Sequence, residues 1–117
     1  MEIWRVENDE GEGCYIGHPE TKPILQTHLN TLTHPHPLAD FEIARLPKTE
    51  EISGFCSEVQ AKRWFSEDNL KQLKPLGFRL RKVSVKEITI QSRFQVLAIR
   101  DSKKNLVERL FDSYMDD

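Results

Sequence analysis

Residues 54–100 read GFCSEVQAKRWFSEDNLKQLKPLGFRLRKVSVKEITIQSRFQVLAIR. This stretch decides the fold. Residues 52–56, which lead into it, read as a short strand. Ser57 follows as a helix N-cap, with Gln60 three residues on as its capping-box partner. The helix carries Val59, Ala61, Trp64 and Phe65. Adjacent aromatics cannot share one helix face fully, so one of Trp64 and Phe65 packs inside and the other lies at an edge. Ser66 offers a second cap, and Pro75 and Gly77 close the helical region. Residues 78–85 read as a strand, with a bulge expected near Lys82, where apolar parity moves from Phe78 and Leu80 to Val83 and Val85. Residues 93–99 form another strand, apolar on both faces and therefore central.

Working outward, residues 2–6 form a first strand, with Ile3 and Arg5 on one side and Trp4 and Val6 on the other. The polar, glycine-bearing run from Asn8 to Gly13 ends it. Residues 18–50 hold five of the six prolines and all four histidines. Proline removes a donor and restricts its predecessor, so only short helices are expected, over residues 24–32 and 38–46. A loop of this length inside a compact domain is often functional. Ser102 caps a last helix carrying Leu106, Val107, Leu110, Phe111 and Tyr114. Together these elements make one α+β domain over residues 1–117: a small twisted, mainly antiparallel sheet with two to four helices.

Composition narrows the function. The chain has 117 residues, 17 basic and 19 acidic side chains and a net charge of −2. Nucleic-acid binders usually carry a basic excess, so a stripe of Arg79, Arg81, Lys82 and Lys86 reads first as a solvated strand face. No signal peptide and no membrane-length apolar run is visible, and two lone cysteines suit a reducing compartment, so a cytoplasmic protein is expected. His34-Pro35-His36-Pro37, with His28 and Asp40, lacks the three or four convergent donors of a zinc site. No metal is expected there, and a proline-stiffened surface loop is the simpler reading. Cys56, just before a helix N-terminus, reads as a buried structural thiol rather than a nucleophile.

Two polar residues stand out in apolar strands. Arg5 either faces solvent or points into a cleft, where a guanidinium can clamp phosphate or ribose oxygens. Gln95, between Phe94 and Val96, must bond a neighbour or line a site.

The run Ile3-Trp4-Arg5-Val6-Glu7, then Gly13-Cys14-Tyr15, His34-Pro35-His36-Pro37 with Asp40, Gly54-Phe55-Cys56-Ser57, Lys62-Arg63-Trp64-Phe65, Gly77-Phe78 and Gln95 resembles a family of small phage and prophage proteins. The layout also resembles a reduced ADP-ribosyltransferase core. That resemblance implies an NAD-binding cleft in which Arg5 holds phosphate or ribose. Phe55 and Ser57 would orient the nicotinamide ribose, and Gln95 would stand at the catalytic late-strand position, a neutral amide where such enzymes carry glutamate. It implies a phage accessory protein that modifies a host macromolecule. The alternative is a non-enzymatic protein that binds a host defence protein.

Overall fold

A computed structural model describes residues 1–30 and 32–101. The expected helix after Ser102 lies outside the described residues. Four strands, β1 (Glu2–Glu7), β2 (Glu51–Gly54), β3 (Arg79–Gln91) and β4 (Val96–Arg100), form one sheet in the order β1-β3-β4-β2. Every pairing is antiparallel. Two helices, α1 (Glu58–Trp64) and α2 (Glu67–Leu73), connect β2 to β3. The α+β sheet expected from sequence is present, and β4 is central as its two apolar faces require, but it begins at Val96 rather than at residue 93, so Gln95 lies in the turn before it and not in the strand.

Local sequence sets the helix ends. The Ser57 hydroxyl accepts from the Gln60 amide at 3.1 Å, and the Gln60 carboxamide accepts from the Cys56 amide at 2.8 Å. Ser66 and Asn69 form a reciprocal capping box, both bonds 3.1 Å. Such caps are each worth about 1 kcal/mol. Past α2, a 3-10 turn over Lys74–Leu76 ends on Gly77, whose φ of 92° suits a residue without a Cβ.

The sheet curls until its first edge meets the chain just beyond β2. Trp4 and Phe55 exchange both backbone hydrogen bonds, at 2.8 and 2.7 Å. Gly54 makes this seam possible: a Cβ there would stand 2.5 Å from the Trp4 carbonyl oxygen. Inside the curl lie Ile3, Val83, Val85, Val96 and Ala98. Outside it, Val6, Phe55 and Phe78 pack with Ala61, Phe65 and Leu73 of the helical region. Phe78 is only 1% exposed, and truncating a buried Phe to Ala typically costs about 3–5 kcal/mol. Phe65 is the buried member of the aromatic pair and Trp64 the half-buried one.

Three expectations are corrected. The β1–β3 register runs unbroken from Glu7↔Arg79 to Glu2↔Ser84, so there is no bulge at Lys82. Leu80 and Val83 sit on opposite faces because each face has its own core. The register instead shifts between Val85 and Glu87 and between Ile88 and Ile90, within a strand longer than expected. Where helices were expected over 24–32 and 38–46, the described residues of the first range hold a 3-10 turn over Gln26–Leu29, and residues 38–46 form turns, with Ala44 at a φ of 52°. Asp40 turns inward there rather than continuing a helix. Finally, Cys56 is exposed and Cys14 is the buried thiol, because the chain leaves the core immediately after Phe55.

Candidate functional site

Beyond the Trp4–Phe55 pair, β1 and β2 diverge. Arg5 bridges the gap, donating from Nη1 to the Ser53 carbonyl at 2.7 Å. By strand alternation Arg5 and Glu7 share the Ile3 side of β1. Glu7 is buried and holds two arginines: Arg5 Nε at 3.1 Å and Arg100 Nη2 at 2.5 Å. Two guanidinium groups against one carboxylate leave a single net positive charge. Burial lowers the Arg5 pKa and Glu7 opposes that shift, yet an arginine stays charged at any ordinary pH. Gly13 packs against the tip: a Cβ there would lie 3.0 Å from Arg5 Nη2.

A cleft of about 490 Å³ opens at this gap. Arg5, Phe55 and Gln95 line it together, although they come from β1, the residue just beyond β2 and the turn before β4. Ser57 is not brought to it, and its hydroxyl is the α1 cap. Tyr15, His28, His34, Trp64 and Glu51 also form the wall.

Hydrogen bonds fix the aromatic side of the wall. The Trp64 indole donates to the Tyr15 hydroxyl at 2.8 Å. His28 Nε2 lies 3.1 Å from Asn69 Oδ1, which also accepts from the Ser66 amide, so this nitrogen is the donor. The other ring nitrogen is then the acceptor, and the Tyr15 hydroxyl donates to His28 Nδ1 across 2.6 Å. Burial, followed by the neighbouring His34, pushes the His28 pKa down to about 4, so the ring is neutral at neutral pH. His34 stacks on it at 4.0 Å and donates from Nε2 to the Trp64 carbonyl at 2.7 Å. The His/Pro loop is therefore clamped onto the helices, and among the described residues no group of His, Cys, Asp or Glu is placed to hold a metal ion.

Gln95 clamps the same loop from the sheet side. Its amide nitrogen donates to the Pro35 carbonyl at 2.7 Å and to Asp40 Oδ2 at 3.2 Å. Asp40 also accepts from the Ser92 hydroxyl at 2.5 Å. The cleft does hold a carboxylate, Glu51, but its oxygens accept from both Arg45 Nη groups at 2.7 and 2.8 Å, from the Lys48 amide and from Thr89. The Arg45 hydrogen bonds are the largest cause that brings its pKa down to about 2.

Of the residues singled out from sequence, Arg5, Phe55 and Gln95 line the cleft and Ser57 does not; Glu7, Tyr15 and His28 were noted only within other patterns, and Arg100 and Glu51 were not singled out. Glu7 had a signal, its two-residue spacing from Arg5 on one strand face. The basic residues of β3 are partly occupied: Arg81 pairs with Asp9 at 3.0 Å, and Lys82 sits 5.5 Å above the Trp4 ring. No helix among the described residues is long and apolar enough to cross a membrane.

A family model described as Bacteriophage T4 Y00F protein matches residues 1–111. No curated protein and no solved structure matches the chain. The match takes in every described strand and helix and the whole lining of the Arg5 cleft, and the chain belongs to this bacteriophage protein family.

Proposed function

We propose that this phage protein binds a nucleotide of the NAD class in the Arg5 cleft and does not transfer its ADP-ribose. The observation that carries the reading is the meeting of Arg5, Phe55 and Gln95 in one cleft of about 490 Å³. That volume falls in the usual range for small-molecule sites, which combine an apolar wall with a few placed polar groups. The ADP-ribosyltransferase resemblance supplies the ligand class. Absence of transfer follows from two features. Gln95 has no charge, and its amide nitrogen is committed to Pro35 and Asp40. Glu51, the carboxylate in the wall, is saturated by Arg45, Lys48 and Thr89. Neither side chain is free to stabilise an oxocarbenium-like transition state.

Calorimetric titration with NAD tests the reading. Wild type should bind saturably, Arg5→Ala should bind at least about tenfold more weakly, and nicotinamide should not accumulate. A wild type that releases no heat on NAD addition would remove the ligand assignment.

A second reading has its own observation. Leu29, Leu32, Leu38, Phe41 and Leu46 are exposed on the loop that carries the histidines, Phe41 by 98%. Exposed apolar side chains of this size are candidates for protein contact, and a host protein is the partner class expected from a phage family. Here the test is a pull-down from host lysate with wild type and a Leu38→Ser/Phe41→Ser variant. A specific band lost in the variant supports the contact, and identical bands count against it.

A further inference from the structure

Gln95 is only 4% exposed, yet half of its carboxamide is unspent. Its nitrogen donates to the Pro35 carbonyl at 2.7 Å and to Asp40 Oδ2 at 3.2 Å. Asp40 is itself held, by the Ser92 hydroxyl and the Glu42 amide. These two acceptors fix which way the Gln95 amide points, because a flip would set its oxygen against two other oxygens. Gln95 Oε1 accepts no hydrogen bond from any described residue. It is not sealed in the core either: among the described residues, the buried side-chain atom left without a partner is His18 Nε2. Gln95 lines the cleft, and its oxygen opens onto it. Other polar groups of the wall are spent, Glu51 on Arg45, Lys48 and Thr89, and the Tyr15 hydroxyl on Trp64 and His28.

Position decides which donor fits this oxygen. Gly54 pairs with Val96, so Phe55 and Gln95 stand side by side at the end of that ladder. His34 and Pro35 complete this part of the wall. Arg5 reaches the cleft from β1 and bonds Ser53, farther back along β2. The charged group thus serves one part of a ligand, and the neutral acceptor stands among rings at another. We infer that Gln95 Oε1 accepts a hydrogen bond from an amine carried by the ligand's aromatic ring, so that the cleft selects a nucleotide by its purine amine or its nicotinamide carboxamide. This rests on the nucleotide reading of the cleft and narrows it. A ligand lacking that amine would cover Oε1 and leave it unpaired, and a buried acceptor without a donor is costly. Sites built around such a group reject the analogue that lacks its partner far more strongly than they reject a missing methylene. The carbonyl is neutral, so it reads the ring without supplying the charge that transfer chemistry needs. Gln95 is a specificity-determining residue in this arrangement.

Calorimetric titration of wild type compares NAD with acetylpyridine adenine dinucleotide and nicotinamide hypoxanthine dinucleotide. The first analogue carries a methyl group in place of the carboxamide nitrogen, and the second an oxygen in place of the adenine amine. At least one of them should bind about tenfold or more weakly than NAD. The Gln95 side-chain amide, followed by NMR in the same samples, gives a readout that needs no variant and that a purely structural Gln95 would not move. NAD should shift it, and the weakened analogue at saturation should not, which identifies the amine that meets Oε1. Should both analogues bind less than about tenfold more weakly than NAD, the amine contact is overturned while the nucleotide reading stands. The same holds if NAD leaves the Gln95 amide unshifted, or if the weakened analogue shifts it as NAD does. Wild type that does not bind NAD would remove the nucleotide reading and this inference together.

Discussion

Arg5 Nη1 donates to the Ser53 carbonyl at 2.7 Å, joining two strands whose residues are 48 positions apart in sequence. A side chain closes the sheet there because backbone pairing ends one step earlier, at Trp4 and Phe55. The residue proposed to meet the ligand also holds the seam. Arg5→Met should therefore cost stability as well as binding. It leaves the Ser53 carbonyl without this donor and Glu7 with Arg100 as its other ion-pair partner, a loss of about 1–3 kcal/mol. Urea unfolding measures it, and an unchanged midpoint would mean that the seam does not need the guanidinium.

Glu51 makes stability acid-sensitive. Its folded pKa, about 2, lies below the ordinary value of 4.5, chiefly through the Arg45 hydrogen bonds. A carboxylate with a depressed folded pKa contributes stability above its unfolded pKa and loses it as pH falls through the folded one. The contribution should fade between about pH 5 and pH 2. Replacing Arg45 by Gln should flatten the slope of stability against pH in that window. An identical slope in both proteins would exclude the pair as its source.

His28 should remain neutral at neutral pH, protonated on Nε2, and titrate near 4. Its sign follows from the depressed pKa of a base. Between the ordinary 6.5 and about 4 the unfolded chain binds a proton that the folded chain does not. This contribution to stability is thus complete above the unfolded value and falls with pH through that window. Nitrogen NMR of the imidazole checks both tautomer and midpoint. Tyr15→Phe removes the hydrogen bond that Nδ1 accepts in the neutral form, so it should raise the midpoint.

Gln95→Glu would install the acid that ADP-ribosyltransferases carry on a late strand. In this protein it should damage the fold instead. A carboxylate cannot donate to Pro35 and would face Asp40 at the distance now bridged by an amide, 3.2 Å. Loss of stability by roughly 1–3 kcal/mol is expected, with no gain of NAD cleavage. Cleavage by the variant would show that Gln95 stands at a catalytic position after all.

The legible and illegible parts of the molecule differ in how they are held. Caps at Ser57 and Ser66 and the alternation of β1 and β4 are local patterns, and they placed α1, α2 and the central strand. Pairing of β1 with β3 depends on contacts far apart in sequence that leave no periodic trace, so the seam at Gly54 stayed hidden. The loop of residues 18–50 is fixed by single bonds to distant partners: His28 to Asn69, His34 to Trp64 and Gln95 to Pro35. Pro35 and His34 announced a stiff loop but not what it was tied to. Arg5 and Gln95 could be singled out because a polar side chain in an apolar run needs a partner, although Gln95 lies just before β4 rather than in it. Which partners they take was not in the spacing: Gln95 bonds Pro35 and Asp40 of the loop.

The central claim, a nucleotide held in the Arg5 cleft, is tested most directly by two-dimensional amide NMR during titration with NAD. Saturable shifts are expected, concentrated on Gly13, Cys14, Ser53, Gly54 and Phe55, which line the cleft around Arg5. A spectrum that NAD leaves unchanged, or shifts confined to the far ends of β3 and β4, would contradict it.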